Sequence, residues 1–371
     1  MRNRKKPLDH LTIRGFKSIR NLENFELKSL NVFIGANGSG KSNLISFFRM
    51  LHALIDGKLN DFIRSGGGIS DFLFNGRKVT SQMEFETHFG LRGYRFTIKP
   101  GPMEDCFLAD EARYYDRGSS GWWSLGDSPD GQSRMVREAK NPIGDSQYSK
   151  PVYEAIVSWQ IYHFHDTGET APMRHSEIIQ DNRVLRFNAS NIAPFLLRLR
   201  NECEEAYREI RDAVRLVMPF FDDFLLDVTE YGPKQMVNLS WQQRGSDYPM
   251  QPYQLSDGSI RFICLVTALL QPDPPSTIII DEPELGLHPS AISILAELMQ
   301  YASTRTQLII ATQSPALIDN FGVEDVIVVR RQDGASTFER LQAADYNVWL
   351  ENYSVGELWS KNVIPGGPVY E

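Results

Sequence analysis

Apolar and polar residues alternate in several short segments of the chain, and a period of two residues predicts β-strands with one buried face. The first of these segments is residues 11–16. Similar alternation follows at residues 21–30, 83–87, 94–98 and 224–242. Three shorter runs are predominantly apolar, as strands buried on both faces of a parallel sheet are: residues 31–34, 277–280 and 307–311. The pattern predicts an α/β protein that opens with antiparallel strands.

Other segments carry apolar residues at a spacing of three and four, which predicts helices. In residues 43–55 these are Leu44, Phe47, Phe48, Leu51 and Leu54. Residues 191–221 have an apolar side and a charged side, and residues 260–270 form a further helical segment. We interpret the region near 186–224 as a small helical lid inserted into the α/β core.

Residues 118–150 are rich in Gly, Ser and Asp, and Trp122 and Trp123 are their strongest apolar anchors. This composition predicts a long loop or a partly disordered insertion. No heptad pattern continues beyond a couple of turns anywhere in the chain, so we do not expect a long coiled-coil arm.

A glycine-rich segment lies between the apolar run at 31–34 and the helix predicted at 43–55. It matches the complete pattern G-x-x-x-x-G-K-[ST] with Gly35-Ala36-Asn37-Gly38-Ser39-Gly40-Lys41-Ser42. In such a loop the backbone N–H groups cradle phosphates, the Lys41 ammonium reaches the β- and γ-phosphate oxygens, and the Ser42 hydroxyl ligates Mg²⁺. We therefore predict that residues 35–43, including Asn43, bind ATP.

The apolar run at 277–280 ends in two adjacent carboxylates, Asp281 and Glu282. Beside a phosphate loop, Asp281 would hold Mg²⁺ directly or through water, and Glu282 would polarise the attacking water. The structural alternative is a pair of acidic residues that cap a helix. The phosphate loop in the same chain favours the catalytic interpretation.

Ser256-Asp257-Gly258-Ser259 comes just before the helix predicted at 260–270. A serine hydroxyl and the free backbone N–H groups of a helix N-terminus can bind an anion. Taken alone, the same residues are an ordinary helix cap. The helix cap is the favoured interpretation of these residues alone, and their position about 25 residues before Asp281 matters only through the resemblance described next.

These motifs, in this order, resemble those of the ATP-binding-cassette (ABC) ATPases. The resemblance implies that Ser256 and Gly258 belong to a signature loop, which caps the γ-phosphate held by the second protomer of an ATP-dependent homodimer or higher oligomer. It also implies a D-loop at residues 284–289 and a switch loop at residues 311–315, where Gln313 replaces the usual histidine. A neutral amide donates a hydrogen bond without titrating, which leaves slow turnover and unchanged turnover both open.

The particular residues in several motifs resemble those of one branch of this superfamily. Residues 14–19, 35–38 and 281–289 resemble the soluble RecF, chromosome-maintenance and OLD-type ATPases. The whole chain is similar to single-domain AAA-family bacterial ATPases without a Toprim domain. That resemblance implies a separate Toprim-type or other nuclease partner, and a role in defence against phage.

Composition limits the remaining function classes. The chain has 371 residues and 42% hydrophobic content, which is enough for a large core, and its net charge of −8 disfavours a uniformly cationic nucleic-acid-binding surface. Three widely separated cysteines fit a reducing compartment better than a disulfide framework. We see no apolar run of about 18 residues, so we expect no membrane span and a cytoplasmic location.

Some residues depart from the cassette pattern or carry weaker signals. Asp257 stands where the signature usually has glycine, and we expect its carboxylate to cap the following helix. His163, His165 and Asp166 are spaced for metal ligation on a strand, but a structural role is the favoured interpretation. Gln82 is the nearest candidate for the cassette Q-loop glutamine, although its surroundings indicate a surface strand residue.

The predicted fold is therefore an ABC-type P-loop ATPase head with a mixed sheet, an N-terminal antiparallel β lobe and a small helical lid. The predicted parts are an N-terminal lobe at 1–185, the lid at 186–224 and a C-terminal lobe at 225–371. The predicted function is ATP hydrolysis by a dimeric, DNA-associated clamp that regulates a partner nuclease in anti-phage defence. The alternative is a structural or repair clamp on DNA without an effector enzyme.

Overall fold

The computed structural model describes residues 6–116, 121–141, 143–144 and 148–367. In these ranges the chain forms two six-stranded sheets, two three-stranded sheets and twelve α-helices. Within the same ranges, none of the helices combines the length and the apolar character needed to cross a bilayer.

The first six-stranded sheet is antiparallel throughout, and it contains the alternating segments near the start of the chain. In spatial order its strands are β2 (Ile19–Glu26), β1 (His10–Phe16), β4 (Met83–Phe89), β5 (Arg92–Pro100), β6 (Cys106–Tyr115) and β7 (Gly121–Ser128). Every second residue of β4 is buried, from Met83 to Phe89, because one face of the sheet packs on the core. The predicted N-terminal antiparallel lobe is confirmed.

The second six-stranded sheet is the central sheet of the molecule. In spatial order its strands are β18 (Ala335–Arg340), β17 (Val326–Gln332), β3 (Leu30–Ile34), β16 (Gln307–Thr312), β15 (Thr277–Asp281) and β8 (Gln160–Tyr162). All neighbouring pairs are parallel except β17 with β18, so the sheet is mixed as predicted. The carboxyl ends of β3, β16 and β15 consequently lie side by side at one edge.

Helices cover both faces of the central sheet and create two apolar cores. Helix α1 (Lys41–Ile55) lies in the first core, between the antiparallel sheet and the face that carries Phe33 and Ile279. The second core lies on the other face, where Ile278 and Ile280 meet the remaining long helices. Alternation along β15 therefore sends successive isoleucines into different cores.

The second core includes both helices of the predicted lid, α6 (Ile192–Glu202) and α7 (Glu204–Val217). Two other long helices, α8 (Asp257–Leu270) and α9 (Pro289–Ser303), contribute to the same core. The two lid helices thus share one apolar core with helices of the predicted C-terminal lobe. The division of the chain at residues 185 and 224 stays a prediction.

Shorter elements complete the fold. The helices are α2 (Leu59–Ser65), α3 (Ile69–Phe72), α10 (Pro315–Ile318), α11 (Ala343–Leu350) and α12 (Val355–Ser360). Two small antiparallel sheets contain β9 (Glu177–Ile178), β10 (Phe221–Leu225), β11 (Thr229–Tyr231), β12 (Lys234–Val237), β13 (Ser240–Gln243) and β14 (Pro249–Met250).

The prediction of a long loop at residues 118–150 is wrong for most of that segment. The described residues there form β7, α4 (Arg134–Lys140) and the start of α5 (Ser149–Val157), while residues 117–120, 142 and 145–147 lie outside the described ranges. The fully buried Glu111 carboxylate accepts hydrogen bonds from the backbone N–H groups of Arg134 and Met135. A carboxylate at a helix N-terminus stabilises the helix, and this partner is distant in sequence from the Gly- and Ser-rich segment.

Candidate functional site

The glycine-rich loop connects β3 to α1, as the motif predicts. Gly38 and Gly40 have positive φ angles of 77° and 117°, which only glycine adopts without strain. A methyl group at Gly40 would also lie 2.0 Å from the Ser336 Oγ atom. Glycine at position 40 therefore lets the loop turn directly into the first residue of α1.

Lys41 is the first residue of α1, and its side chain is buried. The ammonium Nζ donates hydrogen bonds to the carbonyl oxygens of Gly35, at 2.5 Å, and Ala36, at 3.2 Å. Burial lowers the pKa of Lys41, and the nearby Glu282 and Asp281 carboxylates oppose that decrease. The ammonium therefore sits inside the glycine-rich loop and faces the carboxylates that follow β15.

A relay of hydroxyl groups fixes the outer side of the loop. The Asn43 side-chain amide donates to Ser18 Oγ at 2.6 Å, and Ser18 Oγ lies 2.7 Å from Ser336 Oγ. Ser336 Oγ in turn donates to the Ser39 carbonyl at 2.5 Å. Ser42 is exposed beside this relay, so its hydroxyl is accessible from the loop side of the sheet.

A polar cavity of about 440 Å³ adjoins this relay. Its lining includes Lys17, Ser18, Asn43 and Arg331, and it opens beside the start of α1. Burial lowers the pKa of Lys17, with the Arg49 charge acting in the same direction. The cavity supplies room and hydrogen-bonding groups next to the glycine-rich loop.

The two carboxylates predicted after the apolar strand do lie at the carboxyl end of β15. Asp281 is the last residue of β15, and Glu282 follows with a φ angle of 43° and a backbone N–H bond to the Ala311 carbonyl at 2.8 Å. Burial raises the pKa of Asp281, and repulsion from Glu282 adds to the increase. A non-glycine residue at positive φ is uncommon, and this conformation turns Glu282 out of the strand.

The last residue of β16 and the residue that follows it supply polar partners for both glutamates of this region. The Gln313 side-chain amide donates to Glu282 Oε1 at 3.1 Å. The Thr312 hydroxyl donates to Glu284 Oε1 at 2.5 Å, and burial raises the pKa of Glu284. Gln313 is thus hydrogen-bonded directly to Glu282, and its contact with a γ-phosphate stays a prediction.

The segment after β8 lies on the other side of β15. His165 Nε2 is 2.9 Å from the Asp281 carbonyl oxygen, and the His163 and His165 rings are 4.2 Å apart. In the described part of the chain, His, Cys, Asp and Glu residues form no group of three arranged to hold a metal ion. Gln82, the candidate Q-loop glutamine, is not in this segment. It directly precedes β4, and its side-chain amide donates to Glu84. The residues beside β15 are those that follow β8.

The residues of the predicted signature loop begin α8, but the prediction for Asp257 is wrong. Ser256 is the N-cap, and its Oγ accepts the Ser259 backbone N–H at 3.1 Å. Asp257 is the first helical residue, and its carboxylate pairs with Arg174 at 2.9 Å. Ser256 has the extended backbone that an N-cap needs, so it takes the capping position. Arg174 is far from Asp257 in the sequence, so the local motif could not indicate this ion pair.

Gly258 packs against the predicted D-loop. A methyl group at Gly258 would lie 2.3 Å from the Gly286 carbonyl oxygen. The contact is with backbone, so a larger residue would require one of the two loops to move.

Sequence reasoning missed two buried arginines that hold these loops. Arg174 donates to the carbonyl oxygens of Pro252 and Leu255, just before the signature residues. Arg261 donates to the carbonyls of Phe164, at 2.9 Å, and His165, at 3.0 Å, and also to that of Leu285. The available signal for Arg261 was its charge within the apolar run 260–270. Its side chain links the segment after β8, the D-loop and α8.

We expect Arg261→Met to lower the free energy of unfolding by about 3 kcal/mol, because it leaves three carbonyl groups without their donor in a buried site. Urea denaturation measures the change. Arg208→Met is the matched control, since Arg208 is exposed and makes only a long 3.7 Å ion pair with Glu204 on the same helix. An equal loss of stability in both variants would contradict the linking role of Arg261.

We expect Gly258→Ala to destabilise the chain by about 1–3 kcal/mol, the usual cost of overpacking against backbone. Gly168→Ala is the control, because a methyl group there would make only an ordinary 3.7 Å contact with Asp166. Thermal unfolding of both variants measures the difference. Equal melting temperatures would show that the Gly258–Gly286 contact is not constraining.

The sequence match shows an AAA-type domain, and the fold is that of ABC-type ATPase heads. Residues 30–319 match the family described as "AAA domain, putative AbiEii toxin, Type IV TA system", and the chain belongs to this family. Comparison with curated proteins gives no significant match.

Solved structures of chromosome-maintenance head domains share this fold. One is a crystal structure of the SMC head bound to the C-winged helix domain of ScpA, with a TM-score of 0.56, 18% identity and coverage of 91% of this chain and 99% of that chain. Another is the Smc head domain with an extended coiled coil, bound to the C-terminal domain of ScpA from Pyrococcus furiosus. Its TM-score is 0.54, with 16% identity and coverage of 93% of this chain and 98% of that chain.

Proposed function

We propose that the chain binds and hydrolyses ATP with Mg²⁺, and that ATP closes two copies into a head-to-tail homodimer. The observation that carries this proposal is the meeting of Lys41, Glu282 and Gln313 at the carboxyl ends of β3, β15 and β16. Ligands of open α/β sheets bind in the crevice outside the carboxyl ends of the strands.

The donor atoms fit a magnesium nucleotide. The Ser42 hydroxyl and the Asp281 carboxylate are hard oxygen ligands of the kind that Mg²⁺ prefers. In the described structure the buried Glu284 Oε2 atom has no hydrogen-bond partner, so the site holds acceptor capacity beyond its own donors. When bound, Mg²⁺ would neutralise charge on the β- and γ-phosphates, while residues 35–43 hold the phosphate oxygens.

Glu282 is the proposed general base for the attacking water. Its positive φ angle turns the residue away from the strand, and the Gln313 amide fixes one carboxylate oxygen through the 3.1 Å bond. A positioned carboxylate that accepts the proton of water contributes about 10²–10⁴-fold to such a reaction. Gln313 therefore serves as a positioning residue for the base and as a neutral donor near the γ-phosphate.

A second protomer is proposed to supply Ser256 and Gly258. Within one protomer, Gly258 packs against the D-loop, and the neighbouring Asp257 pairs with Arg174. The glycine-rich loop follows β3, which is two strands away from β15 in the sheet. Ser256 is exposed at the N-terminus of a 14-residue helix, where backbone N–H groups favour an anion. Head-to-tail pairing would bring that helix end to the partner's γ-phosphate.

We further propose that the clamp works in the cytoplasm, associates with DNA and controls a Toprim-type or other nuclease in anti-phage defence. The toxin–antitoxin wording of the family description supports this reading. The alternative, a structural or repair clamp without an effector, is supported by the likeness to SMC heads, two of which were crystallised with a bound ScpA domain.

Mixing two inactive variants tests the head-to-tail arrangement. Lys41→Ala removes the phosphate-binding ammonium, and Ser256→Arg blocks the signature loop. Because each proposed site combines one loop from each protomer, the mixed dimer would contain one site with both changes and one intact site. We expect ATP turnover to appear on mixing, although each variant alone is inactive. Unchanged inactivity in a mixture shown to form mixed dimers would contradict the shared site.

An affinity pull-down from the native cells distinguishes the two clamp hypotheses. The Glu282→Gln variant, held closed with ATP and Mg²⁺, serves as bait, and Lys41→Ala serves as the unliganded control. A nuclease or toxin retained in stoichiometric amount with the bait alone would support the defence function. DNA retained with only the homodimer would favour the structural or repair clamp.

A further inference from the structure

A cavity of about 830 Å³ lies between the second half of α1, the edge strand β8 and the irregular segment 181–187. Its volume falls within the usual range for small-molecule sites, which is about 300–1,000 Å³. None of the glycine-rich residues 35–40 lines it, so it is separate from the proposed phosphate site. Its apolar lining consists of Ala53, Phe62, Trp159, Ile161, Val184, Leu185 and Phe187.

The polar lining of this cavity has four cationic side chains, of Arg49, Lys58, Arg183 and Arg186, and two carboxylates, of Asp56 and Asp181, in a chain whose net charge is −8. Arg186 pairs with Asp181 at 2.7 Å, which neutralises one of the two lining carboxylates. Arg49, Lys58 and Arg183 have no carboxylate partner within ion-pair distance in the described parts of the chain. Three exposed, unpaired cations around an apolar floor favour an anionic ligand with a hydrophobic body.

Aromatic side chains at the cavity make a ring-bearing ligand the best fit. Phe187 is 59% exposed on segment 181–187, and Phe62 is half-buried on α2. Nucleobases stack on aromatic faces and on arginine guanidinium planes, while cations at the edge bind the attached phosphates. An acidic peptide would satisfy the cations but would leave the exposed Phe187 ring without a flat partner.

The wall of the cavity continues to the catalytic edge of the sheet. The Arg49 guanidinium is 3.5 Å from His163 Nδ1, and both residues line the cavity. The His163 ring lies 4.2 Å from the His165 ring, and His165 Nε2 is 2.9 Å from the Asp281 carbonyl. Four side chains or backbone groups thus connect the cavity to the end of β15.

We propose that this cavity binds a nucleoside phosphate, either free or as one unit of a nucleic-acid strand, and that Arg49 and His163 transmit its occupancy to Asp281. The binding step is independent of the proposed ATPase function. The transmission step rests on that function, because it requires nucleotide at the glycine-rich loop. Binding of the two ligands is then coupled, and each changes the affinity for the other by the same factor.

Binding is tested in the Lys41→Ala background, so that the glycine-rich loop does not contribute. The probes are AMP and a fluorescein-labelled ten-residue oligothymidylate, measured by calorimetry and fluorescence anisotropy. We expect the Lys58→Glu/Arg183→Glu double variant to weaken binding by about tenfold or more, as expected when two phosphate contacts are lost. The control is Lys234→Glu/Arg244→Glu, which makes the same charge change at exposed positions outside the cavity and should alter affinity by less than about twofold.

Each outcome decides the proposal. Binding of both probes, or of either one alone, with loss only in the cavity variant supports it, and the probe that binds identifies a free nucleotide or a strand as the source. Binding of neither probe overturns it, as does equal weakening by the control variant. The proposal is also overturned if octaglutamate displaces the probe at the same concentration as AMP does, because the site would then recognise negative charge alone.

Transmission is tested separately in the chain with Lys41 intact. We expect the oligonucleotide or AMP to change the dissociation constant of a non-hydrolysable ATP analogue by about fivefold or more, and Arg49→Ala to abolish that change. If probe binding survives but the ATP analogue does not bind at all, the proposed ATPase function fails and the cavity assignment stands. If both ligands bind with no mutual effect, the transmission half is overturned.

Discussion

Glu282→Gln is expected to keep ATP affinity and to lower the turnover rate by about 10²–10⁴-fold, because an amide cannot accept the proton of the attacking water. The substitution preserves side-chain length and leaves the backbone bond to the Ala311 carbonyl intact. A Gln side-chain oxygen can still accept the Gln313 amide, so the local geometry should persist. Without hydrolysis, ATP should hold the variant in the closed dimer.

Two measurements check this prediction. Phosphate release gives the turnover rate, and size-exclusion chromatography with light scattering gives the fraction of dimer with ATP and Mg²⁺. Glu297→Gln on α9 is the matched control, because it makes the same chemical change at an exposed position. Normal hydrolysis by Glu282→Gln would remove Glu282 as the base and would direct attention to Asp281 or Glu284.

Lys41→Ala is expected to raise the dissociation constant of ATP by about 10²–10³-fold. The ammonium can donate to both β- and γ-phosphate oxygens, and a hydrogen bond to a charged group contributes about 1.5–3 kcal/mol. In the structure the same atom already donates to the carbonyls of Gly35 and Ala36. The substitution therefore removes a phosphate ligand and also two bonds that shape the loop.

Calorimetry with a non-hydrolysable ATP analogue and Mg²⁺ measures this affinity. Lys28→Ala is the matched control, since Lys28 makes a partly exposed 3.4 Å ion pair with Glu324 outside the site. Thermal unfolding of both variants shows whether the loop change also affects the fold. Undiminished affinity in a folded Lys41→Ala protein would contradict nucleotide binding by the glycine-rich loop.

Contiguous motifs made much of the site predictable from sequence. Residues 35–43 lie together in the chain, and their spacing alone predicts which of them would face a phosphate. The apolar runs that become β3, β15 and β16 are continuous and buried, so their parallel arrangement follows from their composition. The placement of Asp281 and Glu282 at a shared strand edge follows from that arrangement.

Contacts between distant segments explain what sequence reasoning missed. Strand β8 has only three residues, which is too short to give a clear period, so the place of His165 beside Asp281 was not predicted. The partners of Arg261 are backbone carbonyls, and these carry no signature of residue type. Glu111 similarly stabilises the start of α4 by accepting a hydrogen bond from the backbone N–H of Arg134, which is 23 residues later in the chain.

The relay between Ser336 and the glycine-rich loop also bears on how the protein is made. Ser336 and Ser39 are 297 residues apart, and β3 has its two sheet neighbours, β16 and β17, only in the last quarter of the chain. At a synthesis rate of about 5–20 residues per second, the ribosome needs roughly 15–60 s to make the intervening segment. During that interval β3 lacks both of its neighbouring strands, whereas α1 can already pack on the antiparallel sheet through Phe47. The glycine-rich loop is thus translated well before the strands that complete its surroundings, and it reaches its final form only when they are made.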